Sequence, residues 1–279
     1  MGVPVMHPII RNALIGGGSG GGAPSTPATI LGSDLLVWYD RTNLSSMFQD
    51  SAGTTPVTAG GQPVGRMLDL SGNGRHAIQP TAASRCLLST DGGKNRIIYD
   101  GVDDSYYTES AVNLSAHSAI TVFFAYHKLT NGDIRMLVET SPHVTTGIGS
   151  FAVVMPISTG HAINVIFNSG TADYGQVSAL TGAAASLKMV GTVTIKSNVA
   201  TVDEAINIRI NGSVVANELP RTYAPSGAFG NHVMYMGRRA NSSLPLLGED
   251  YGFILAAGDV PLDKKQAIES YLNSKIGAY

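Results

Sequence analysis

Ten short apolar runs follow one another from residue 35 onwards, separated by clusters of Gly, Asn, Asp, Ser and Pro. They are LLVWYD (35–40), RIIYDG (96–101), AITVFFAYHK (119–128), RMLVET (135–140), SFAVVMPI (150–157), AINVIFN (162–168), KMVGTVTIKS (188–197), INIRINGSVVA (206–216), VMYMGRR (233–239) and YGFILAA (251–257). Runs of this length, rich in β-branched and aromatic residues and bounded by turn formers, predict strands. Asn211-Gly212 predicts a tight hairpin, because both central positions of such a turn need positive φ. One segment has a different period. In PLDKKQAIESYLNSKIG (261–277), Ala267, Ile268, Tyr271, Leu272 and Ile276 fall on one helical face. Asp263 is the expected N-cap and Gly277 the expected stop. Many strands with one late helix exclude a βαβ architecture and predict an all-β antiparallel sandwich or jelly roll, with the helix lying across it as a cap.

The N-terminus lacks this pattern. Residues 16–22 read GGGSGGG and lead into APSTPAT, a composition that cannot offset its own ordering entropy. The expected layout is therefore an apolar peptide at 1–15, a Gly/Ser/Pro-rich linker at 16–30 and one sandwich domain at 31–279. Val3, Val5, Ile9, Ile10, Leu14 and Ile15 give the peptide its apolar character and are read as an anchor that orders against a partner. A plain tail is the alternative. The first residues do not follow the pattern of a secretory signal, since Arg11 comes after the apolar residues.

Composition narrows the function. Apolar residues make up 43% of the chain, enough for a core, and no run is long enough to cross a membrane. Charged residues are only 14%, against about a quarter in ordinary domains. The surface must then rest on Ser, Thr, Asn, Gly and Gln, which suits packed assemblies. A net charge of −2 with scattered basic residues argues against a nucleic-acid partner. Cys86 is the single cysteine, so neither an internal disulfide nor a cysteine-built zinc site is expected.

Two segments are more distinctive. Asp69, Ser71, Gly72, Asn73 and Ala77 form a D-x-S-G-N-x-x-x-A element, and Tyr99, Asp100, Gly101, Asp103 and Asp104 form a Y-D-G-x-D-D element. With the INGSVVA hairpin and the final helix, they resemble the laminin-G-like, concanavalin-like jelly-roll domains of many bacterial and phage-encoded proteins. The resemblance spans about residues 33–279. It implies a concanavalin-like sandwich and says little about a ligand. The tether and apolar peptide, outside that pattern, are similar in layout to the attachment arm of a phage tail fibre, head fibre or decoration protein. That layout implies a location on the virion, other virion proteins as partners, and a homo-oligomer within the assembly.

Candidate chemistry is sparse. Asp100, Asp103 and Asp104 offer oxygen ligands for calcium. The stretch lacks the alternate carboxylates and terminal Glu of a calcium loop, so an Asx-type turn is the first reading and no cofactor is expected. Arg75 and His76, at the tip of SGNGRH, could touch a partner, but no phosphate-cradle context surrounds them. Glycoside cleavage needs two flanking carboxylates. Glu204 follows Asp203, and Glu249 and Asp250 are adjacent, which in a strand sends them to opposite faces. No G-x-S-x-G elbow is present. The seven histidines (His7, His76, His117, His127, His143, His161 and His232) show no metal-binding spacing. Sugar binding needs an aromatic platform with polar side chains beside it. Tyr106, Tyr107, Tyr174, Tyr223, Tyr235 and Tyr251 are candidates, with Asn231, Arg238, Arg239 and Asn241. The polar GRRANSS loop (237–243) after a strand marks Tyr235, Arg238, Arg239 and Asn241 as the expected contact surface. The leading expectation is a non-enzymatic virion adhesion or decoration protein that touches host-surface glycan. The alternatives are a soluble bacterial lectin-like module and a diverged glycoside hydrolase.

Overall fold

The computed structural model describes residues 25–130, 133–155, 163–170, 174–179, 186–215, 217–218, 226–240 and 243–279. The anchor positions Val3, Val5, Ile9, Ile10, Leu14 and Ile15 lie outside them, as does Asn241. Within them the chain folds as an antiparallel β-sandwich with a C-terminal helix, as the run pattern predicts.

Ala119–Lys128 is the central strand of one sheet, and only His127 in it escapes full burial. Such a continuous apolar run means cover on both faces. It pairs over ten residues with Leu187–Lys196 on one side and with Leu247–Ala257 on the other. Beyond Leu187–Lys196 come Ile206–Ile210 and Ser213–Val214. They are joined through Asn211 and Gly212 at φ 49° and 79°, the positive-φ pair the dipeptide predicts. Leu247–Ala257 splits its far edge between two strands. Its first half pairs with Lys94–Asp100, which continues to Leu87–Asp91, and its second half pairs with Leu35–Asp40.

The second sheet has ten strands. Its order is Asn217–Glu218, Tyr174–Ala179, Ile163–Asn168, Ser150–Val154, Met136–Thr140, Met234–Met236, Tyr106–Thr108, Ala77–Ile78, Arg66–Met67 and Met47–Phe48. Tyr99, Tyr106, Phe124, Tyr126, Phe151, Phe167 and Phe253 fill the space between the sheets. At about 1.5–3 kcal/mol for each large side chain removed from water, this layer is the main source of stability. One ion pair is embedded in it. Arg41 Nε lies 3.1 Å from Asp250 Oδ2, both almost wholly buried, and burial pushes the Asp250 carboxyl up to about 6.

The outer face of the eight-stranded sheet is covered. Leu262–Ile276 forms the C-terminal helix, and Ile268, Leu272 and Ile276 pack with Phe123, Ala125, Val190 and Ile254. Its N-cap position is Pro261, and Asp263, the cap expected from the sequence, sits two residues inside it in the first turn. Gly277 stops it in the left-handed conformation. Polar contacts fix its position. Tyr271 donates to Asp40, and Glu269 accepts from Arg209 and Thr192. A second helix, Pro27–Leu31, joins the same layer through Leu31. Residues 27–30 are thus part of the packed unit and not of the linker. Proline at the first helical position and the reciprocal Thr26–Thr29 capping box start the helix.

The resemblance elements are turns that hold this frame. Asp69 Oδ1 accepts from Trp38 N and Ser71 N, its Oδ2 accepts from Arg75 N, and Asn73 Nδ2 donates to Leu35 and Leu36 carbonyls. The SGN loop therefore fastens the first strand.

Candidate functional site

Among the described residues, the outer face of the ten-stranded sheet is only partly covered. Met136, Val144, Ala152 and Val154 make a small apolar cluster under the 143–149 loop. Alongside it the strand registers set one row of direct cross-strand neighbours: Ala152, Glu139, Tyr235, Tyr107, Ile78 and Arg66. Alternation along each strand sends these side chains outward while Met234, Met236, Tyr106 and Thr108 point in.

Tyr107 and Tyr235 sit at the middle of the row, half-buried, with ring centroids 6.3 Å apart and planes tilted by 42°. Among the described residues neither phenolic hydroxyl has a hydrogen-bond partner. Burial, with Tyr107 and Glu139 beside it, raises the Tyr235 hydroxyl above its ordinary pKa. The two rings floor a cleft of about 320 Å³ whose walls include Gln79, Thr81, Ser105, Arg238 and Arg239. Arg238 Nη1 donates to the Asp103 carbonyl, and Gln79 Nε2 donates to Ser105. Both side chains are thereby positioned before any ligand arrives.

Under the Arg239 wall lies a buried acid. Glu139 has no exposed surface. Its oxygens accept from Arg239 Nε at 3.1 and 3.2 Å and from Val144 N at 2.6 Å. Arg239 Nη1 reaches His143 Nε2 at 3.0 Å. Burial raises the Glu139 carboxyl above its ordinary pKa even with Arg239 against it. The Glu139–Arg239 pair therefore spends most of its charge internally and fixes the guanidinium plane at the edge of the cleft.

Of the residues singled out in the sequence, Tyr235, Arg238 and Arg239 come together here, and Tyr107 joins them. Asn241 lies outside the described residues, as does Tyr223. Arg75 and His76 are elsewhere: His76 Nδ1 accepts from Asp69 N, and the Arg75 carbonyl accepts from the Tyr39 hydroxyl. Tyr106 points into the core and donates to the Val64 carbonyl. Tyr251 belongs to the other sheet. Glu139 and Gln79 were missed. The one signal for Glu139 was an acid inside the apolar run RMLVET.

Asp100, Asp103 and Asp104 do cluster, with one carboxylate oxygen from each within 4.8 Å of the others. The oxygens are turned to the chain itself. Asp100 Oδ1 accepts from Val102 N and Asp103 N, Asp104 Oδ2 accepts from Asp100 N, and Asp103 Oδ2 accepts from Ser84 Oγ. The Asx-type turn thus forms at Asp100, whereas Asp104 reaches back to the backbone of Asp100 and Asp103 bonds a serine hydroxyl. Burial, reinforced by Asp100 and Asp103, pushes Asp104 up to about 6.

No protein-family model matches the chain, and no curated protein matches it. Solved structures do. A variant of a GH54 α-L-arabinofuranosidase soaked with 4-nitrophenyl α-L-arabinofuranoside aligns over 87% of this chain and 63% of its own, at 12% identity and a TM-score of 0.53. The botulinum neurotoxin type G receptor-binding domain aligns over 87% and 52%, at 10% identity and a TM-score of 0.54. The serotype D ligand-binding domain in complex with N-acetylneuraminic acid aligns over 86% and 52%, at 10% identity and a TM-score of 0.54. This chain spans less than two thirds of each. Identities this low establish a shared β-sandwich fold and nothing further.

Proposed function

We propose that the chain is a saccharide-binding module whose tyrosine cleft holds its ligand without cleaving it, displayed by its N-terminal arm on a virion and contacting host-surface glycan or decorating the particle. The observation that carries the binding half is the Tyr107–Tyr235 floor. Tilted rings with free hydroxyls at their rims offer a pyranose face both an apolar platform and hydrogen bonds. Gln79, Thr81, Arg238 and Arg239 add polar groups at the walls. The neighbours of known structure are consistent with this reading, since they include domains bound to a sugar.

The described lining of the cleft contains no carboxylate, so a general acid with a nucleophile or base, as glycoside cleavage requires, is not assembled there. That favours binding over hydrolysis. The arm half rests on sequence: an apolar peptide ahead of GGGSGGG has the layout of an anchor on a tether.

Titration of the full chain against a panel of neutral and acidic oligosaccharides, read by calorimetry, tests the first half. Tyr235→Ala and Tyr107→Ala are each expected to weaken a binding saccharide about tenfold, or roughly 1.4 kcal/mol. A saccharide whose affinity ignores both variants binds elsewhere and removes the cleft from the proposal. Deleting residues 1–22 should abolish particle association and leave saccharide affinity unchanged. Retained association would end the anchor reading.

A further inference from the structure

A second constellation lies on the opposite sheet, on the outer face beside the cluster beneath the helix. His127 on the central strand is the direct cross-strand neighbour of Glu249. Its Nδ1 lies 2.8 Å from Glu249 Oε2. Its Nε2 lies 2.8 Å from the Oγ of Ser186, an exposed residue just before Leu187–Lys196. His127 and Glu249 are mostly shielded from solvent, with 16% and 13% of their side-chain surface exposed.

The chemistry of the acid orders this set. Glu249 is fastened by Arg96 Nε at 2.8 Å on Oε1 and by the Tyr251 hydroxyl at 3.1 Å on Oε2. Despite its burial, bonds from His127 and Arg96 hold its carboxyl below the ordinary range. An ionised carboxylate only accepts, so Nδ1 of a neutral His127 must carry the ring proton and donate it. Nε2 is then the lone-pair nitrogen, and the Ser186 hydroxyl donates to it. The carboxylate thereby selects the tautomer in which histidine is a base toward serine, an arrangement recognised by geometry and not by chain order.

We propose that Ser186 is an activated nucleophile, with His127 as its general base and Glu249 as the positioning residue, and that it accepts acyl groups from small exposed esters. The reaction balances with water as the only co-reactant. Ser186 Oγ bonds to the ester carbonyl carbon while its proton passes to His127 Nε2. The carbon–oxygen bond to the alcohol breaks, and the alcohol leaves with that proton. Water then attacks the acyl carbon and yields a proton to Nε2. The bond to Oγ breaks, the carboxylic acid leaves, and Oγ recovers its proton. The site is independent of the tyrosine cleft, which lies on the other sheet.

The test is covalent labelling of the full-length protein with an alkyl fluorophosphonate, located by peptide mass spectrometry, with p-nitrophenyl acetate hydrolysis measured in parallel. Phosphonylation is expected at Ser186 ahead of every other serine, and Ser186→Ala should abolish both readouts. General-base assistance is worth on the order of 10²-fold or more, so His127→Ala should slow labelling at Ser186 by about that factor. Glu249→Gln should slow it less and shift the pH dependence of labelling, which a merely structural role would leave in place. Circular dichroism shows whether each variant is folded. Ser186→Ala exchanges one exposed hydroxyl and keeps the experiment decisive should another variant unfold. Labelling spread evenly over exposed serines, or labelling of Ser186 at an unchanged rate in folded His127→Ala, overturns the proposal.

Discussion

The two sheets share one interior but treat their outer faces in opposite ways. The eight-stranded sheet buries its outer face under the C-terminal helix, and Phe123, Ala125, Val190 and Ile254 are as dry as the core between the sheets. The ten-stranded sheet leaves Tyr107, Tyr235, Ile78 and Arg66 half-buried in an open row. A covered face contributes stability through apolar area, whereas the open face, with its pre-positioned aromatics and charges, is the one proposed to contribute recognition. The difference predicts that substitutions beneath the helix change folding and that those in the row change binding. Glu139–Arg239 is the exception, because it is buried within the open face.

That exception carries the largest expected effect. Arg239→Ala leaves Glu139 buried without its cation, which should cost about 3–5 kcal/mol in urea unfolding. Glu139→Leu combined with Arg239→Met should recover most of that loss, since the uncompensated charge is gone. A single-variant loss under about 1 kcal/mol would make the pair an ordinary surface bridge and the open face open throughout. Leu272→Ala, beneath the helix, comes next. Loss of a buried leucine should cost about 2–5 kcal/mol and leave saccharide affinity in the folded protein untouched. A binding defect without a stability defect would break the division between the faces.

How far these features could be read beforehand depended on their range along the chain. The central strand, the Asn211-Gly212 hairpin and the C-terminal helix were legible because each carries its own period or turn chemistry over several residues. Met47–Phe48, Arg66–Met67 and Ala77–Ile78 were not. Two residues hold no period, and these strands exist only through pairing with one another and with Tyr106–Thr108. The site was half legible for the same reason. Tyr235, Arg238 and Arg239 sit together in sequence, and the turn after a strand exposes them. Tyr106 and Tyr107 must face opposite ways, but which one faces out is set by pairing with Tyr235, over a hundred residues away. Glu139 is buried by Arg239 and by the backbone of Val144, contacts that no local pattern encodes.

Proton linkage offers a smaller way to separate the faces. Asp250 lies behind the covered face and Asp104 beside the cleft, and burial pushes both up to about 6 from an ordinary value near 3.8. Between those values the folded state binds more protons than the unfolded chain, so stability from these groups rises as pH falls from 7 toward 5. Each should contribute about 1–2 kcal/mol over that interval, less than the full shift allows because pH 5 still lies above the ordinary carboxylate value near 3.8. Asp40, Glu249 and Asp259 act in the opposite sense. Their folded values are lowered, so the stability they give is present at neutral pH and lost as pH falls below about 4. Urea midpoints should therefore peak near pH 5. Asp104→Asn and Asp250→Asn should each flatten the limb between pH 5 and 7. A limb that rises toward pH 7 in the unsubstituted protein would contradict the assignment.

The smallest effect sharpens where the covered face begins. Pro27–Leu31 completes the cover only if its first turn holds, and that turn depends on Thr26. The Thr26 N–H donates to Thr29 Oγ1 at 2.9 Å, and Thr26 Oγ1 accepts from Thr29 N at 3.4 Å. The second bond is long, so Thr26→Ala should cost about 0.5–1 kcal/mol, the lower part of the range for lost caps. The loss should appear in hydrogen exchange at Ile30, whose N–H donates to the Thr26 carbonyl, before it appears in global unfolding. Leu31→Ala, which removes the buried contact itself, should cost more than the cap. Equal and negligible costs would place residues 26–31 with the tether, and the cover would then consist of the C-terminal helix alone.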